Sequence, residues 1–469
     1  MKKAKRTFER DIASKAKSNP KAFWAHARRN LKTKSGIAPL MENPSNPNSL
    51  KISDKEKAEI LQEQFSKVFT KEHEGAIPFF EQRADFPIID VNISEEMVLK
   101  KLNELNINKS CGPDEIHPRL LKELSSEIAG PISIIMNRSL EDGQLPADWK
   151  KAFVSPIYKN KGNKNHAENY RPISLTSVIC KLMEKFIKEA LLHHLNSQKL
   201  LSTRQYGFIN GRSTTTQLLS YINKCVDIVA DKSVLDVIYF DFSKAFDTVP
   251  HRRLITKLKA YGIHGKTLQW IEDFLKDRTQ IVKVNGEESC SVPVISGIPQ
   301  GSVLGPILFL IYINDLPDSV ISDMFLFADD TKILREIRSK EDSLVLQSDI
   351  AALEVWSRKW LLTFHPDKCH ILTIGKDKNV KHTHKYELYG KELQHVPQEK
   401  DLGVTVDSHL TFDEHINQKI KSASSMAGLI RRTFSFLDGK MFVKLFTALV
   451  RPHLEYSQAV WAPHLVKLD

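Results

Sequence analysis

The feature that most narrows what this chain can become is Phe327-Ala328-Asp329-Asp330, where two adjacent carboxylates fall at the point a short hydrophobic hairpin has to turn. Met324, Phe325, Leu326 and Phe327 precede the pair and residues 331–334 follow it. Both flanks are rich in the aromatic and branched side chains that fit a pleated strand. Asp is common in turns for a plain reason, since its side chain bonds nearby backbone. A second run gives the pair another meaning. Residues 234–241 read as a mostly apolar strand that ends on Asp241, well upstream of the pair. If the two elements lie side by side, Asp241, Asp329 and Asp330 converge.

Converging carboxylates repel one another unless a cation sits among them, and hard oxygen ligands favour Mg²⁺ or Mn²⁺ over softer metals. Two such ions roughly 3.5–4 Å apart can hold the attacking and leaving oxygens of an in-line phosphoryl displacement. Polymerases and nucleases both use that chemistry. The run Asp241-Phe242-Ser243-Lys244-Ala245-Phe246-Asp247 adds an aromatic five positions beyond the first acid, and Ser296-Gly297-Ile298-Pro299-Gln300-Gly301 adds a Gly-rich turn carrying Gln.

Asp-x-x-x-x-aromatic, then the Gly/Gln turn, then aromatic-Ala-Asp-Asp, in that order, resembles motifs A, B and C of the reverse transcriptases. The words Phe240-Asp241-Phe242-Ser243-Lys244-Ala245-Phe246-Asp247 and Asn169-Tyr170-Arg171-Pro172-Ile173-Ser174-Leu175 resemble the non-LTR, LINE-type branch, jockey-like elements in particular. The likeness runs over residues 95–465. It implies an α+β right-hand polymerase with fingers, a palm built on an antiparallel sheet, and a helical thumb. It also implies copying of RNA into DNA from dNTPs with two Mg²⁺ (or Mn²⁺) ions, an RNA template, and a DNA primer or target DNA.

The resemblance assigns roles. Asp241, Asp329 and Asp330 are the catalytic, metal-holding acids. Phe246 lies under the sugar of the incoming nucleotide, where a bulky ring collides with a ribose 2′-hydroxyl, the group that separates RNA from DNA building blocks. Gln300, between glycines that allow close backbone approach, helps hold the dNTP and template. Arg171 and Lys159 resemble the cations that grip the triphosphate, with Lys161 and Lys164 of the same loop as alternatives to Lys159. Lys368, in Phe364-His365-Pro366-Asp367-Lys368, resembles the lysine proposed to protonate leaving pyrophosphate. Leu402-Gly403-Val404 resembles the hairpin that positions a primer end, or equally an ordinary strand end.

The chain divides accordingly into a basic N-terminal arm with linker helices (1–93), fingers (94–201), a palm with the catalytic motifs (202–404) and a partial helical thumb (405–469). Ser53-Asp54-Lys55-Glu56 reads as a helix start, with Ile60, Leu61, Phe65, Val68 and Phe69 on one face. Residues 120–140 and 179–195 have helical spacing, residues 153–158 read as a strand, and the polar loop 159–169 reads as a hairpin reaching toward phosphates. Residues 412–449 read as a basic helical unit.

At 469 residues, 41% of them hydrophobic, the chain has room for roughly two to four domains with sizeable cores. Its formal charge of +11 is concentrated at one end. Residues 1–35 hold twelve Lys or Arg against Glu9 and Asp11, a surplus of ten, so the remainder carries about +1. Such a segment can neutralise phosphates and give salt-sensitive affinity for nucleic acid, or act as a solvated helix or import signal. Five cysteines without Cys-x-x-Cys spacing argue against structural zinc and, with no secretory signal, suit the nucleus and cytoplasm. The longest apolar stretch, residues 303–313, is too short for a bilayer, so no membrane partner is expected.

Two other readings compete with an active polymerase. One is a catalytically silent nucleic-acid-binding relic of a truncated element, because no endonuclease words are recognisable at the start and the chain stops at Asp469 within thumb-like sequence. The other is a different palm polymerase, an intron maturase or a viral RNA polymerase, against which Phe246 and the Tyr170–Leu175 wording speak.

Overall fold

The computed structural model describes residues 2–31, 36–43, 45–72, 75–88, 90–375 and 384–462. Lys32 and Lys34 of the basic segment, and residues 463–469 of the expected thumb, lie outside them.

A five-stranded sheet runs in the order Gln394–His395, His370–Ile374, Val234–Phe240, Asp330–Ile337, Asp323–Phe327. Its pairings are antiparallel apart from the short edge strand Gln394–His395, which joins in parallel. The expected hairpin is present: Asp330 pairs with Phe327, and Ala328 takes a left-handed φ of 54° in the turn between the strands. Val234–Phe240 is buried along almost its whole length, which a near-continuous apolar run requires of a central strand.

Beside the sheet lies Gly305–Ile313, a helix apolar on every side and buried along nearly all of its length. A helix with no polar face has to be a core element. Its residues join Ile238 and Phe240 of the sheet, Phe186 and Leu191 of the helix Val178–Ser197, and Leu254 and Trp270 of the helices His251–Ala260 and Gly265–Leu275 in the main core. Among the described residues no helix is long and apolar enough to cross a membrane.

A second sheet joins parts of the chain that the sequence reading separated at residue 201. Lys151–Tyr158 pairs antiparallel with Tyr170–Leu175 and parallel with Arg278–Val284. Helix Asp54–Ser66 packs on this sheet, capped by the Ser53 hydroxyl accepting from Glu56 N at 3.3 Å. It ends three residues before Phe69, short of the expected face. The expected helix over 120–140 is two, Pro118–Glu123 and Ser125–Asp142, broken at Leu124. Likewise 412–449 resolves into Asp413–Thr433, Gly439–Leu445 and a π-helical turn, Phe446–Val450.

The basic N-terminal segment does not stand away from the molecule. Helices Lys2–Lys15 and Pro20–Leu31 pack on Asp413–Thr433 and Gly439–Leu445 through Ile12, Phe23, Ile430 and Leu445. Glu9 is fully buried and accepts from Ser435 N (3.2 Å), Ser435 Oγ (2.7 Å) and Phe436 N (3.0 Å). Burial works against its charge, but those bonds prevail and hold the carboxyl below its ordinary range. Arg10 pairs with Asp438 at 3.1 Å, while Lys2, Lys3, Lys5 and Lys17 stay exposed.

Candidate active site

Register brings the acids together. Thr331 pairs with Phe240, so Asp241 and Asp330 stand one step further along neighbouring antiparallel strands, and Asp329 occupies the turn beside them. The Asp241 backbone is fixed by His365 N donating to its carbonyl at 2.8 Å and by Ser243 N donating to Thr363 O at 2.8 Å. These bonds draw residues 363–368 along the sheet end, and Lys368 Nζ reaches Asp241 Oδ2 at 3.0 Å.

The acids sense one another. Burial, and then the charge of Asp241, raises the Asp329 carboxyl above the usual range, with Arg171 opposing. The surface of Asp330 opens to the cleft, yet the surrounding walls, and then the like charges of Asp329, Asp401 and Asp241, push it up to about 7. Because the carboxyl is open to water, the repulsion rather than the desolvation is the contribution that a bound cation relieves.

Among the described residues no group of three or more His, Cys, Asp or Glu side chains is drawn closely enough together to hold a metal ion. The three acids thus share one sheet end without forming a closed ligand set. The Lys368 ammonium occupies one side of Asp241, at 3.0 Å. The donor type nonetheless suits a hard divalent cation: all three acids offer oxygen ligands only, and Asp241 and Asp330 line an open cleft of about 440 Å³.

Close to the acids, around Lys159, the imbalance is reversed. Lys159 follows the strand Lys151–Tyr158 and donates through Nζ to Glu168 O at 2.6 Å. Burial, then Lys244, Lys368 and Arg171, lowers its ammonium to about 8. Four cations therefore face one another there. Lys161 also lines the cleft, whereas Lys164 turns back over the Tyr158 ring at 5.4 Å.

Phe246 stacks on Phe309 of the buried helix, ring centroids 4.5 Å apart and planes at 24°. Gln300 Nε2 donates to Asp247 Oδ1 at 2.8 Å, and Ser174 N donates to Gln300 O at 2.7 Å. The flanking glycines are needed. At φ +119°, Gly301 would set a Cβ 2.5 Å from Ser174 O, and at φ +83°, Gly297 would set one 2.6 Å from Asp247 O.

Sequence reasoning passed over three residues here. Asp247 holds the Gln300 side chain, and its place six residues after Asp241 in the same word was a usable signal. Lys244, between them, takes a left-handed φ of 53° and joins the cation cluster. Gln205 accepts from Ala328 N at 3.0 Å and Gly207 N at 2.7 Å, bracing the Asp-Asp turn from a segment that carries no catalytic word.

The description "Reverse transcriptase (RNA-dependent DNA polymerase)" matches residues 158–406, more than half of the chain. The "Probable RNA-directed DNA polymerase from transposon BS" of Drosophila melanogaster is 30% identical over 70% of this chain and 37% of its own length. The RNA-directed DNA polymerases from mobile element jockey of Drosophila melanogaster and Drosophila funebris are each 27% identical, over 79% of this chain and 41% of theirs. The chain spans about two fifths of the length of these relatives. With its acids on neighbouring antiparallel strands and its sequence matched across the whole span that carries them, the chain belongs to the reverse transcriptase family.

Proposed function

We propose that the chain is the RNA-directed DNA polymerase of a LINE-type, jockey-like retrotransposon, adding dNTPs to a primer 3′-hydroxyl on an RNA template in the nucleus and cytoplasm. The observation that carries this reading is the meeting of Asp241 with the Asp329-Asp330 turn at one sheet end, with Lys368 bonded to Asp241 and the cations Lys159, Lys244 and Arg171 close by. On this reading the first sheet is the palm (202–404), less the strands 278–294 that join the fingers (94–201), and residues 405–469 are the thumb.

Asp241, Asp329 and Asp330 would hold two Mg²⁺ (or Mn²⁺) ions, which would supply Lewis acidity for phosphoryl transfer. The chain's own groups do the rest. Lys159 and Arg171, with Lys161 at the same wall, bind the triphosphate and orient it in line with the primer end. Phe246, braced by Phe309, closes the space a 2′-hydroxyl requires. Gln300, held by Asp247, steadies the nucleotide and template. Lys368 stands next to Asp241, where its ammonium can give a proton to the departing pyrophosphate.

The test is extension of an RNA-templated DNA primer with labelled dNTP. Incorporation by the unaltered chain and its loss in Asp329→Asn is the expected result, and undiminished extension by that variant would falsify the site. Primer–template binding with no incorporation by the unaltered chain identifies a silent relic instead.

A further inference from the structure

The hairpin of Gln398–Asp401 and Val404–Asp407 is a sheet separate from the five-stranded one, and the cleft lies between them. A buried ion pair joins the two. Lys332 stands two residues after the Asp-Asp pair, 2% exposed, and its Nζ meets Asp401 Oδ2. Asp401, 6% exposed, is the last residue before the Leu402-Gly403 turn. The Tyr221 ring lies 4.1 Å from the ammonium, and the Tyr221 and Tyr239 hydroxyls are hydrogen-bonded at 2.9 Å.

The far side of the turn is held by the C-terminal helices. Tyr456 Oη donates to Leu402 O at 2.8 Å and Lys419 Nζ to Gly403 O at 3.2 Å. A more exposed link joins His370 Nδ1 to Glu399 Oε2 at 2.7 Å.

A buried pair is a poor source of stability, because desolvating two charges offsets most of their attraction. It is an effective constraint on geometry. Neither partner can be left unpaired, so the hairpin cannot slide or tilt without exposing both to a large penalty. Resting on the function proposed above, we propose that Lys332 and Asp401 are positioning residues. Their ion pair is a strut that fixes the distance from the Leu402-Gly403 turn to Asp241, Asp329 and Asp330, and so places a primer 3′-hydroxyl lying on that turn. Neither side chain needs to touch the reacting atoms. Lys332 acts through its strand and Asp401 through its turn, and a shift of about 1 Å at the hydroxyl is enough to slow transfer by orders of magnitude.

The full chain is compared with Asp401→Asn, Asp401→Glu and Lys332→Arg in single-nucleotide extension, primer–template binding and hydrogen exchange of residues 398–407. Asp401→Asn is expected to keep primer–template Kd and dNTP KM within about twofold while kcat falls about tenfold, with faster exchange in the hairpin. Asp401→Glu, which retains the charge, recovers part of kcat. A folded Asp401→Asn with kcat and exchange unchanged overturns the strut, as does a parallel loss of Kd, KM and kcat that follows melting temperature alone. Should Asp401→Asn fail to fold, Lys332→Arg decides: it keeps the pair but alters its reach, and an unchanged kcat overturns the proposal. Should the unaltered chain incorporate nothing, the polymerase reading fails separately. The strut is then judged by exchange, upheld by loss of protection in Asp401→Asn and overturned by its retention.

Discussion

One wall of the site carries Asp241, Asp329 and Asp330, where burial and then like charge push Asp330 up to about 7; the other carries Lys159, Arg171 and Lys244, where burial and then like charge lower Lys159 to about 8. Each wall is strained in the sense that its charges repel, and each is relieved by what the other lacks. A divalent cation suits the first and a polyphosphate the second, and a metal-bound nucleoside triphosphate suits both at once. Lys368 is the link, bonded to Asp241 and counted among the cations that depress Lys159.

Removing the negative wall's anchor should break this complementarity most severely. Asp241→Asn is expected to lower nucleotide incorporation by about 10²–10³-fold or more, while primer–template affinity, carried by contacts to the phosphate backbone, stays within a few-fold in a filter-binding assay. Activity within tenfold of the unaltered chain would mean that Asp241 is not part of the reacting centre.

Next in size is the sugar-gating role proposed for Phe246. Phe246→Val opens the space above Phe309 and should narrow the preference for dNTPs over rNTPs by about 10–100-fold, read as the ratio of kcat/KM values. An unchanged ratio would return Phe246 to a core role. On the positive wall, Lys159→Met should raise dNTP KM about tenfold with a smaller effect on kcat. In the unaltered chain KM should also climb as pH passes about 8, because the neutral amine no longer attracts phosphate. Lys159→Arg, which stays charged, should flatten that rise, and a profile indifferent to the Arg substitution would remove Lys159 from the triphosphate site.

The parts of this picture that sequence made legible share a local cause. The Asp-Asp hairpin shows because apolar strands and a turn lie within about ten residues. What stayed hidden depends on partners distant in sequence. Asp247 and Gln300 are 53 residues apart, and Lys332 and Asp401 are 69 apart; the place of Asp247 in the Asp241 word hints at a role but not at its partner, and nothing near Lys332 or Asp401 marks theirs. The N-terminal segment reads as a charged arm because charge is what its sequence displays. Its docking combines an apolar seam with a buried acid, Glu9, satisfied by a turn more than 420 residues away.

The smallest expected effect bears most directly on why the walls differ. Asp330 is raised in the folded chain from an ordinary 3.8 to about 7. Between those values the folded state holds a proton that the unfolded state has released. Its contribution to stability is therefore complete below about pH 4 and lost as pH rises through 7, where the carboxylate is ionised among like charges. Asp330→Asn should thus raise the melting temperature by a degree or two at pH 8 and have almost no effect at pH 4. Mg²⁺ should act in the same direction on the unaltered chain, stabilising it more at pH 8 than at pH 5, since at the lower pH the ion has to displace a proton. Calorimetric melting across that pH range, with and without Mg²⁺, separates the cases. If Asp330→Asn destabilises equally at every pH, the carboxylate is an ordinary turn residue, and the negative wall is not a site waiting for positive charge.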